Sequence, residues 1–379
     1  MKKLLILSIY IFVAFCVSAC STEPNDGPKK EEPEDIFSKI QGNSIQIDPS
    51  ALYTTGITPE ALVADLKKAK INSVHFMVVQ YWDGSRNDNL LRPEYLKALK
   101  DNGIAMWLMM LGNCFYDKTD LPKEWEMKTL SPYPGVSFYT FHHPDFIKWQ
   151  ADRVKRFIKD YPEFIGIEYA ESYFPEWKTL QTNGFYGDVS QYALDKFSKE
   201  FLKADKIYAF DEIRSTVKLY RSWVDFRAEA VLNFNKKIKE AIKEANPNFL
   251  FAAWGMGVQN GTLEDIRESF GLDMVKIVKE VKPDIFFVQT AAQDWGDSNL
   301  KPDYISKYQY VVNALKQADP NIRLGLQADI ASLSFHDPNV PKRNGTWWKA
   351  FMDNSLKQGY FTNTAYEYSF YKKQGLWID

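Results

Sequence analysis

Short apolar runs alternate with longer amphipathic runs along the chain from residue 44 onward. Amphipathic runs such as TPEALVADLKKAK and HPDFIKWQADRVKRFIKD space their apolar residues as a helix does, and most end at a Pro or Gly turn such as Asp101-Asn102-Gly103. Several of the apolar runs are nearly continuous, which is typical of parallel strands covered on both faces. The pattern predicts eight strands: SIQID (44–48), SVHFMVV (73–79), IAMWLMML (104–111), FIGIEYA (164–170), FLFAAWG (249–255), IFFVQTA (285–291), IRLGLQA (322–328) and YFTNTAY (360–366).

Strands that alternate with helices predict an α/β fold, and eight such units predict a closed (β/α)8 TIM barrel. A doubly wound open sheet is the alternative. It would normally have a glycine-rich first turn, whereas this chain has only an isolated Gly255-Met256-Gly257 after the fifth run. Two loops are enlarged: Asn113 to about His142 after the third strand, and a partly helical insertion, with a long run from about Asp211 to Ala245, after the fourth. Both follow the C-terminal ends of strands, where barrel active sites form.

The first twenty residues have the pattern of an export signal. Lys2 and Lys3 precede an apolar stretch that is too short for a stable membrane span, and Val17-Ser18-Ala19-Cys20 resembles a bacterial lipobox with Cys20 as the lipidated residue. A plain secretory signal with a chance cysteine is the alternative. Residues 21–36 are polar and rich in Pro and charge, so we predict a flexible tether, with the barrel domain at 37–379. The sequence therefore predicts an exported lipoprotein, held at the membrane through its lipid; Ser21 after the cysteine favours the outer membrane, on its periplasmic or its surface face.

Composition narrows the possible functions. A formal charge of -2 argues against nucleic acid as a partner. Cys114 is the one cysteine beyond Cys20, which excludes an internal disulfide and a cysteine-based zinc site in the barrel. The His142-His143-Pro144 segment fits the start of a helix better than a metal site, and no HExxH, P-loop, GxSxG or CxxC motif is present, so we expect neither a metal nor a cofactor. The 15% aromatic content indicates either surfaces for stacking or a ring-rich core.

Carboxylates, amides and rings are concentrated where the predicted strands end. The catalytic candidates are Glu168, Glu171, Asp329 and Glu367. The candidate substrate-binding residues are Trp82, Tyr173, Trp254, Gln289, Trp295, Gln327 and Tyr366. This set suits glycoside hydrolysis, because that reaction uses two carboxylic acids while amides bind sugar hydroxyls and aromatic faces stack on sugar rings.

Glu171 is the first candidate for the proton donor, because it follows an apolar strand among rings that would raise its pKa. Strand alternation predicts that Glu168 faces away from Glu171, and Glu168 could equally be a buried structural carboxylate. Asp329 and Glu367 are alternatives for the second carboxylate.

Two segments resemble a known group of proteins. HPDFIKWQADRVKRFIKDYPEFIGIEYAESYF and YRSWVDFRAEAVLNFNKKIKEAIKEANPNFLFAAWG resemble stretches of glycosyl-hydrolase-like (β/α)8 barrel lipoproteins of bacteria, and more distantly of beta-galactosidase-like barrels. The resemblance covers roughly residues 143–295 and implies a carbohydrate-active barrel with Glu171 at or beside the acidic position of strand four.

The galactosidase-like pattern ends strand four with Asn-Glu, which places Ser172 at the acid position in an ungapped alignment and Glu171 there after a one-residue shift. Strand seven has Asp329 where those families have Glu.

Two functions follow as hypotheses: a glycoside hydrolase acting on a poly- or oligosaccharide by a two-carboxylate mechanism, or a surface lipoprotein that binds glycans on a barrel scaffold without cleaving them. The oligomeric state stays open.

Overall fold

The computed structural model describes residues 35–78, 91–115, 120–132, 135–175, 184–258 and 261–378. Its centre is a closed barrel of eight parallel strands, in which β1 pairs with both β2 and β8. The strands are β1 (Gly42–Ile47), β2 (Ile71–Met77), β3 (Ala105–Leu111), β4 (Gly166–Ala170), β5 (Leu250–Met256), β6 (Ile285–Gln289), β7 (Leu324–Asp329) and β8 (Thr362–Tyr366). The prediction of an α/β (β/α)8 barrel is confirmed, and each of the eight apolar runs forms one barrel strand.

Helices separate the strands, as the amphipathic runs predicted. They are α1 (Ile36–Ile40), α2 (Pro49–Tyr53), α3 (Pro59–Lys68), α4 (Pro93–Asp101), α5 (Pro144–Asp160), α6 (Gln191–Lys196), α7 (Phe210–Ser215), α8 (Val217–Ala245), α9 (Leu263–Phe270), α10 (Met274–Lys276), α11 (Ala292–Trp295), α12 (Gln309–Ala318), α13 (Ser332–His336), α14 (Gly345–Lys357) and α15 (Tyr368–Lys373). Within the described ranges, no helix combines the length and the apolar character that crossing a bilayer requires.

Local sequence explains where several helices begin. Thr262 and Asp265 form a reciprocal capping box at the start of α9. His143 caps α5 with Pro144 in the first turn, so the His-His-Pro segment marks a helix start, as expected. The long helical run after strand four is interrupted at Thr216, which separates α7 from α8.

The core has two layers, one on each side of the strands. Outward-facing strand residues pack against the helices in one large cluster that includes Ile45, Val74 and Leu108. Inward-facing residues, among them Trp107 and Phe287, fill the barrel interior, as expected for a packed rather than hollow barrel. Side chains of α1 pack against this inner cluster.

The enlarged loops bury most of their described aromatic residues. A third cluster, separate from the barrel core, contains Tyr186, Phe197, Phe210, Trp223 and Phe226 from the insertion between β4 and β5. The guanidinium of Arg227 lies over the rings of Phe174 and Tyr186, at 4.5 and 4.2 Å. These rings therefore belong to packed cores. Of the two interpretations of the high aromatic content, stacking surfaces or a ring-rich core, the core accounts for much of it.

Candidate active site

A cavity of about 560 Å³ lies at the C-terminal end of the barrel strands. Its volume is within the range that holds a small organic ligand. Sixteen residues line it: Gln46, Asp48, Met77, Met109, Leu111, Glu171, Trp254, Gln289, Ala292, Trp295, Gln327, Asp329, Ser332, Leu333, His336 and Tyr366. Of the eleven candidate catalytic and sugar-binding residues from the sequence, seven are in this set.

Glu171 lies in the cavity because the chain turns sharply as it leaves β4. Its φ of 52° is in the left-handed region that non-glycine residues rarely adopt. Strand alternation had predicted opposite directions for Glu168 and Glu171. The left-handed turn overrides that alternation, and both carboxylates are on the barrel-axis side. The Glu171 carboxylate accepts hydrogen bonds from Gln289 Nε2 at 3.4 Å and from Cys114 Sγ at 3.5 Å.

Ser172, the residue that an ungapped alignment places at the acid position, is fully buried. Its hydroxyl donates to the backbone carbonyl of Tyr169 at 3.2 Å. Of the two adjacent residues, Glu171 is therefore the one whose side chain reaches the cavity.

Glu168 is part of a buried polar network below the cavity. Its carboxylate is hydrogen-bonded to His75 Nδ1 at 2.8 Å and to Trp254 Nε1 at 3.0 Å. His75 Nε2 is in turn 2.9 Å from Ser44 Oγ. Glu168 is completely buried and is absent from the cavity lining, so its position matches the structural alternative that the sequence left open.

Asp329 closes β7 and accepts hydrogen bonds at the start of α13. Its Oδ1 accepts from the backbone N–H groups of Ala331, Ser332 and Leu333, at 3.0, 2.9 and 3.4 Å. These three donors fix the carboxylate at the cavity wall and favour its charged form. Burial is the larger effect and raises the pKa of Asp329 to about 7, a value at which the group exchanges protons near neutral pH.

Glu367 follows β8 and is fully buried outside the cavity lining. It accepts from the backbone N–H of Phe370 at 2.5 Å and from that of Asp48 at 3.2 Å, so it links the start of α15 to the end of β1. Burial raises its pKa to about 8. Of the two candidates for the second carboxylate, Asp329 is the one that contacts the cavity.

The indoles of Trp254 and Trp295 both line the cavity, and both have their N–H groups occupied. Trp254 donates to Glu168, and Trp295 Nε1 donates to Thr290 Oγ1 at 2.8 Å. Trp254 is 1% exposed and Trp295 is 8% exposed, so only a small part of each ring borders the cavity. Trp82 lies outside the described residues.

Tyr173 is buried beside the cavity rather than in its wall. Its hydroxyl donates to Gln289 Oε1 at 2.8 Å, which directs the other end of that amide toward Glu171. Tyr366 lines the cavity. Burial raises the pKa of its hydroxyl, and the carboxylates of Asp48, Glu367, Asp329 and Glu171 raise it further, which shows how many acidic groups surround this end of the barrel.

Nine of the sixteen lining residues were not among the sequence candidates, and four of these nine are polar: Gln46, Asp48, Ser332 and His336. Asp48 caps α2 by accepting from the backbone N–H groups of Ser50 and Ala51, and burial raises its pKa. A sequence signal for Gln46 and Asp48 was present, because Ser44, Gln46 and Asp48 alternate with Ile45 and Ile47 along the first strand. In a barrel the polar set of such an alternation faces the interior when the apolar set packs under the helices.

Taken together, the lining residues can transfer protons and bind hydroxyl groups. Three carboxylates (Asp48, Glu171, Asp329) and three amides (Gln46, Gln289, Gln327) line one cavity with two indole rings. The described residues contain no group of three or more His, Cys, Asp or Glu side chains arranged to hold a metal ion.

Comparison with solved structures finds the same fold in glycoside hydrolases. The glycoside hydrolase domain of PgaB (BpsB) from Bordetella bronchiseptica is 13% identical, with a TM-score of 0.64 over 88% of this chain and 96% of that one. The catalytic domain of beta-amylase from Paenibacillus polymyxa has a TM-score of 0.57 at 13% identity, over 86% and 92% of the two chains. Gan42B, a GH42 beta-galactosidase from G. stearothermophilus, has a TM-score of 0.62 at 13% identity.

The alignment with Gan42B covers 87% of this chain and 51% of the other, so this chain spans about half the length of that enzyme. At these identities the likeness shows the fold: a barrel similar to those of glycoside hydrolases, as the resemblance in residues 143–295 implied. No protein-family model matches the chain, and no curated protein matches it.

Proposed function

We propose that this protein is a glycoside hydrolase that cleaves a poly- or oligosaccharide with Glu171 and Asp329 as its pair of carboxyl groups. The observation that carries the proposal is their meeting in one cavity that three amides and two indole residues also line. Hydrolysis of a glycosidic bond needs one carboxyl group to protonate the departing oxygen and a second to act as base or nucleophile. The glycoside hydrolase barrels of similar fold support this reading.

In the proposed mechanism Glu171 donates the proton. Gln289, itself oriented by Tyr173, holds one oxygen of the Glu171 carboxyl group in place. Residues of this kind fix the geometry of the donor against the bond that breaks.

Asp329 is the second carboxylate. Three backbone donors engage its Oδ1, and Oδ2 is the oxygen that remains for a water or for the sugar C1. Because the reaction needs Asp329 without its proton, we expect activity to rise with pH through about 7. If activity instead falls as pH rises through about 7, Asp329 would be the proton donor and Glu171 the base or nucleophile.

The amides and rings bind the sugar in this proposal. Gln289 and Gln327 contact hydroxyl groups, and Trp295, the more exposed of the two cavity indoles, provides an apolar contact for a pyranose ring above the buried Trp254. In line with the export signal in the sequence, we also propose that the protein is a lipoprotein anchored through Cys20.

The test is a screen of the purified protein against plant, microbial and host polysaccharides that measures the release of reducing ends. On any substrate that is cleaved, Glu171→Gln and Asp329→Asn should each lower kcat at least about 100-fold while sugar affinity and folding survive. Glu244→Gln is the matched control, because Glu244 is exposed and paired with Lys155 on the outer helices.

The hydrolase proposal fails if no polysaccharide is cleaved, or if both cavity variants keep more than about a tenth of the activity. Binding of a polysaccharide without any cleavage would favour the alternative, a glycan-binding lipoprotein.

A further inference from the structure

Gln46 is a buried residue whose side chain has no partner in the protein. It belongs to β1, its exposure is 0%, and it forms part of the cavity wall. Neither its amide nitrogen nor its amide oxygen makes a hydrogen bond. Among the buried amide side chains of the described residues, it alone has both atoms unpaired.

Gln327 shares this property in part. It belongs to β7, faces the same cavity, and its Oε1 is buried without a hydrogen-bond partner. Strand β8 pairs with β1 on one side and with β7 on the other, so the two glutamines flank one strand. The third cavity glutamine differs, since Gln289 is hydrogen-bonded to Tyr173 and to Glu171.

A buried glutamine outside the cavity shows what this fold does with an amide that serves structure. Gln150 of α5 donates to the carbonyl of Gly112 at 2.8 Å, and its Oε1 accepts from Tyr169 at 3.2 Å. A buried amide without partners destabilises the fold, so the unpaired amides need an explanation that lies in the cavity.

We propose that Gln46 and Gln327 form a recognition subsite for two neighbouring free hydroxyl groups of one sugar ring. The inference rests on the carbohydrate ligand of the proposed function and adds residues and a chemical class to it. The amide of Gln46 presents a donor and an acceptor side by side, which matches a pair of hydroxyls that can each donate and accept. Gln327 Oε1 accepts from the hydroxyl of this pair that lies nearer to β7.

The subsite sets specificity. A sugar that lacks one of the two hydroxyls leaves a buried amide group unpaired in the complex, and sites of this kind discriminate strongly against such analogues. We therefore expect a deoxy sugar to bind at least about tenfold more weakly than its parent.

The experiment uses Gln46→Met, which removes both polar atoms and keeps the approximate length and volume of the side chain. It measures the Tm of the free protein and the rise in Tm caused by the methyl glycosides of D-glucose, D-galactose and D-mannose and by their 2-deoxy and 3-deoxy forms. We expect the Tm of the free variant to rise by about 2 °C or more, because an unpaired buried amide is gone. Protection by the sugar that stabilises the wild-type protein should be lost.

Gln150→Met is the matched control. It should lower the Tm, because it breaks hydrogen bonds that the structure shows, and it should leave protection by sugar intact. The proposal is overturned if Gln46→Met lowers the Tm as Gln150→Met does, if it keeps sugar protection, or if none of the glycosides protects the wild-type protein.

This outcome is separable from that of the hydrolase proposal. Glu171→Gln and the wild-type protein are compared in the same binding assay and in the assay for reducing ends. If the rise in Tm caused by sugar depends on Gln46 but no polysaccharide is cleaved, the subsite proposal stands and the hydrolase proposal fails.

Discussion

Replacing Asp329 by Asn should stabilise the protein at alkaline pH and change it little in acid. Burial raises the pKa of Asp329 from 3.8 to about 7, so the folded protein holds this proton more tightly than the unfolded chain does. Below about pH 4 both states are protonated and the two variants differ little. As pH rises from about 4 to 7, the unfolded chain loses its proton first, and the free energy of unfolding of the wild type falls.

The size of the effect follows from the pKa shift. A rise of about three units corresponds to at most about 4 kcal/mol above pH 7, since one unit is about 1.4 kcal/mol. Because Asp329 is partly open to the cavity, about half of this is the realistic expectation. Asn cannot ionise, and its side-chain oxygen can still accept from the three backbone donors at the start of α13.

Urea unfolding followed by tryptophan fluorescence at pH 4.5 and pH 8 measures the difference. The gap between Asp329→Asn and the wild type should widen by about 2 kcal/mol between these two pH values. Asp152→Asn is the control, because Asp152 lies on the exposed face of α5 in a pair with Lys148. An equal gap at both pH values, or a variant that is the less stable one at pH 8, would refute the argument from burial.

Three further predictions concern single residues. Glu171→Gly should raise the free energy of unfolding by about 1 kcal/mol while activity is lost, because glycine adopts a φ of 52° without strain; a lower value in urea unfolding would contradict this. Glu168→Leu should lower the free energy of unfolding by about 3 kcal/mol, since His75 and Trp254 lose a buried partner. An unchanged midpoint of urea unfolding would show that this network contributes little. Cys20→Ser should move the protein from the membrane fraction to the soluble fraction of cells, and a variant that stays with the membranes would end the lipoprotein proposal.

The barrel could be predicted from the sequence because its signals are local. Each strand is a short apolar run, and turns such as Asp101-Asn102-Gly103 separate it from a helix. Alternation along β1 also carries enough information to place Gln46 on the inner face of the barrel, although Gln46 lies before the end of the strand. The cavity position was predicted for the same reason as the fold, since strand ends converge in any parallel barrel.

The roles of individual carboxylates depended on features that are not local. Glu171 reaches the cavity through one left-handed residue, which no hydrophobic pattern encodes. Glu367 is buried where β1 closes the barrel against β8. It accepts there from the backbone N–H of Asp48, a residue near the other end of the chain. Glu168 is bonded to groups on β2 and β5, and the sequence alone gave no sign of that pairing.

The insertion between β4 and β5 has an evolutionary consequence. Its first part, α6 and α7 with the start of α8, buries its own aromatic cluster, separate from the cluster between barrel and helices. The rest of α8 packs on the barrel, where Phe234 meets Tyr169 of β4 edge-on at 5.5 Å. Substitutions in Phe197, Phe210 or Trp223 can be compensated by their immediate neighbours without a matching change in the barrel. We therefore expect related chains to vary more freely in α6, α7 and the first turns of α8 than in the later turns of α8, which share the packing of the barrel.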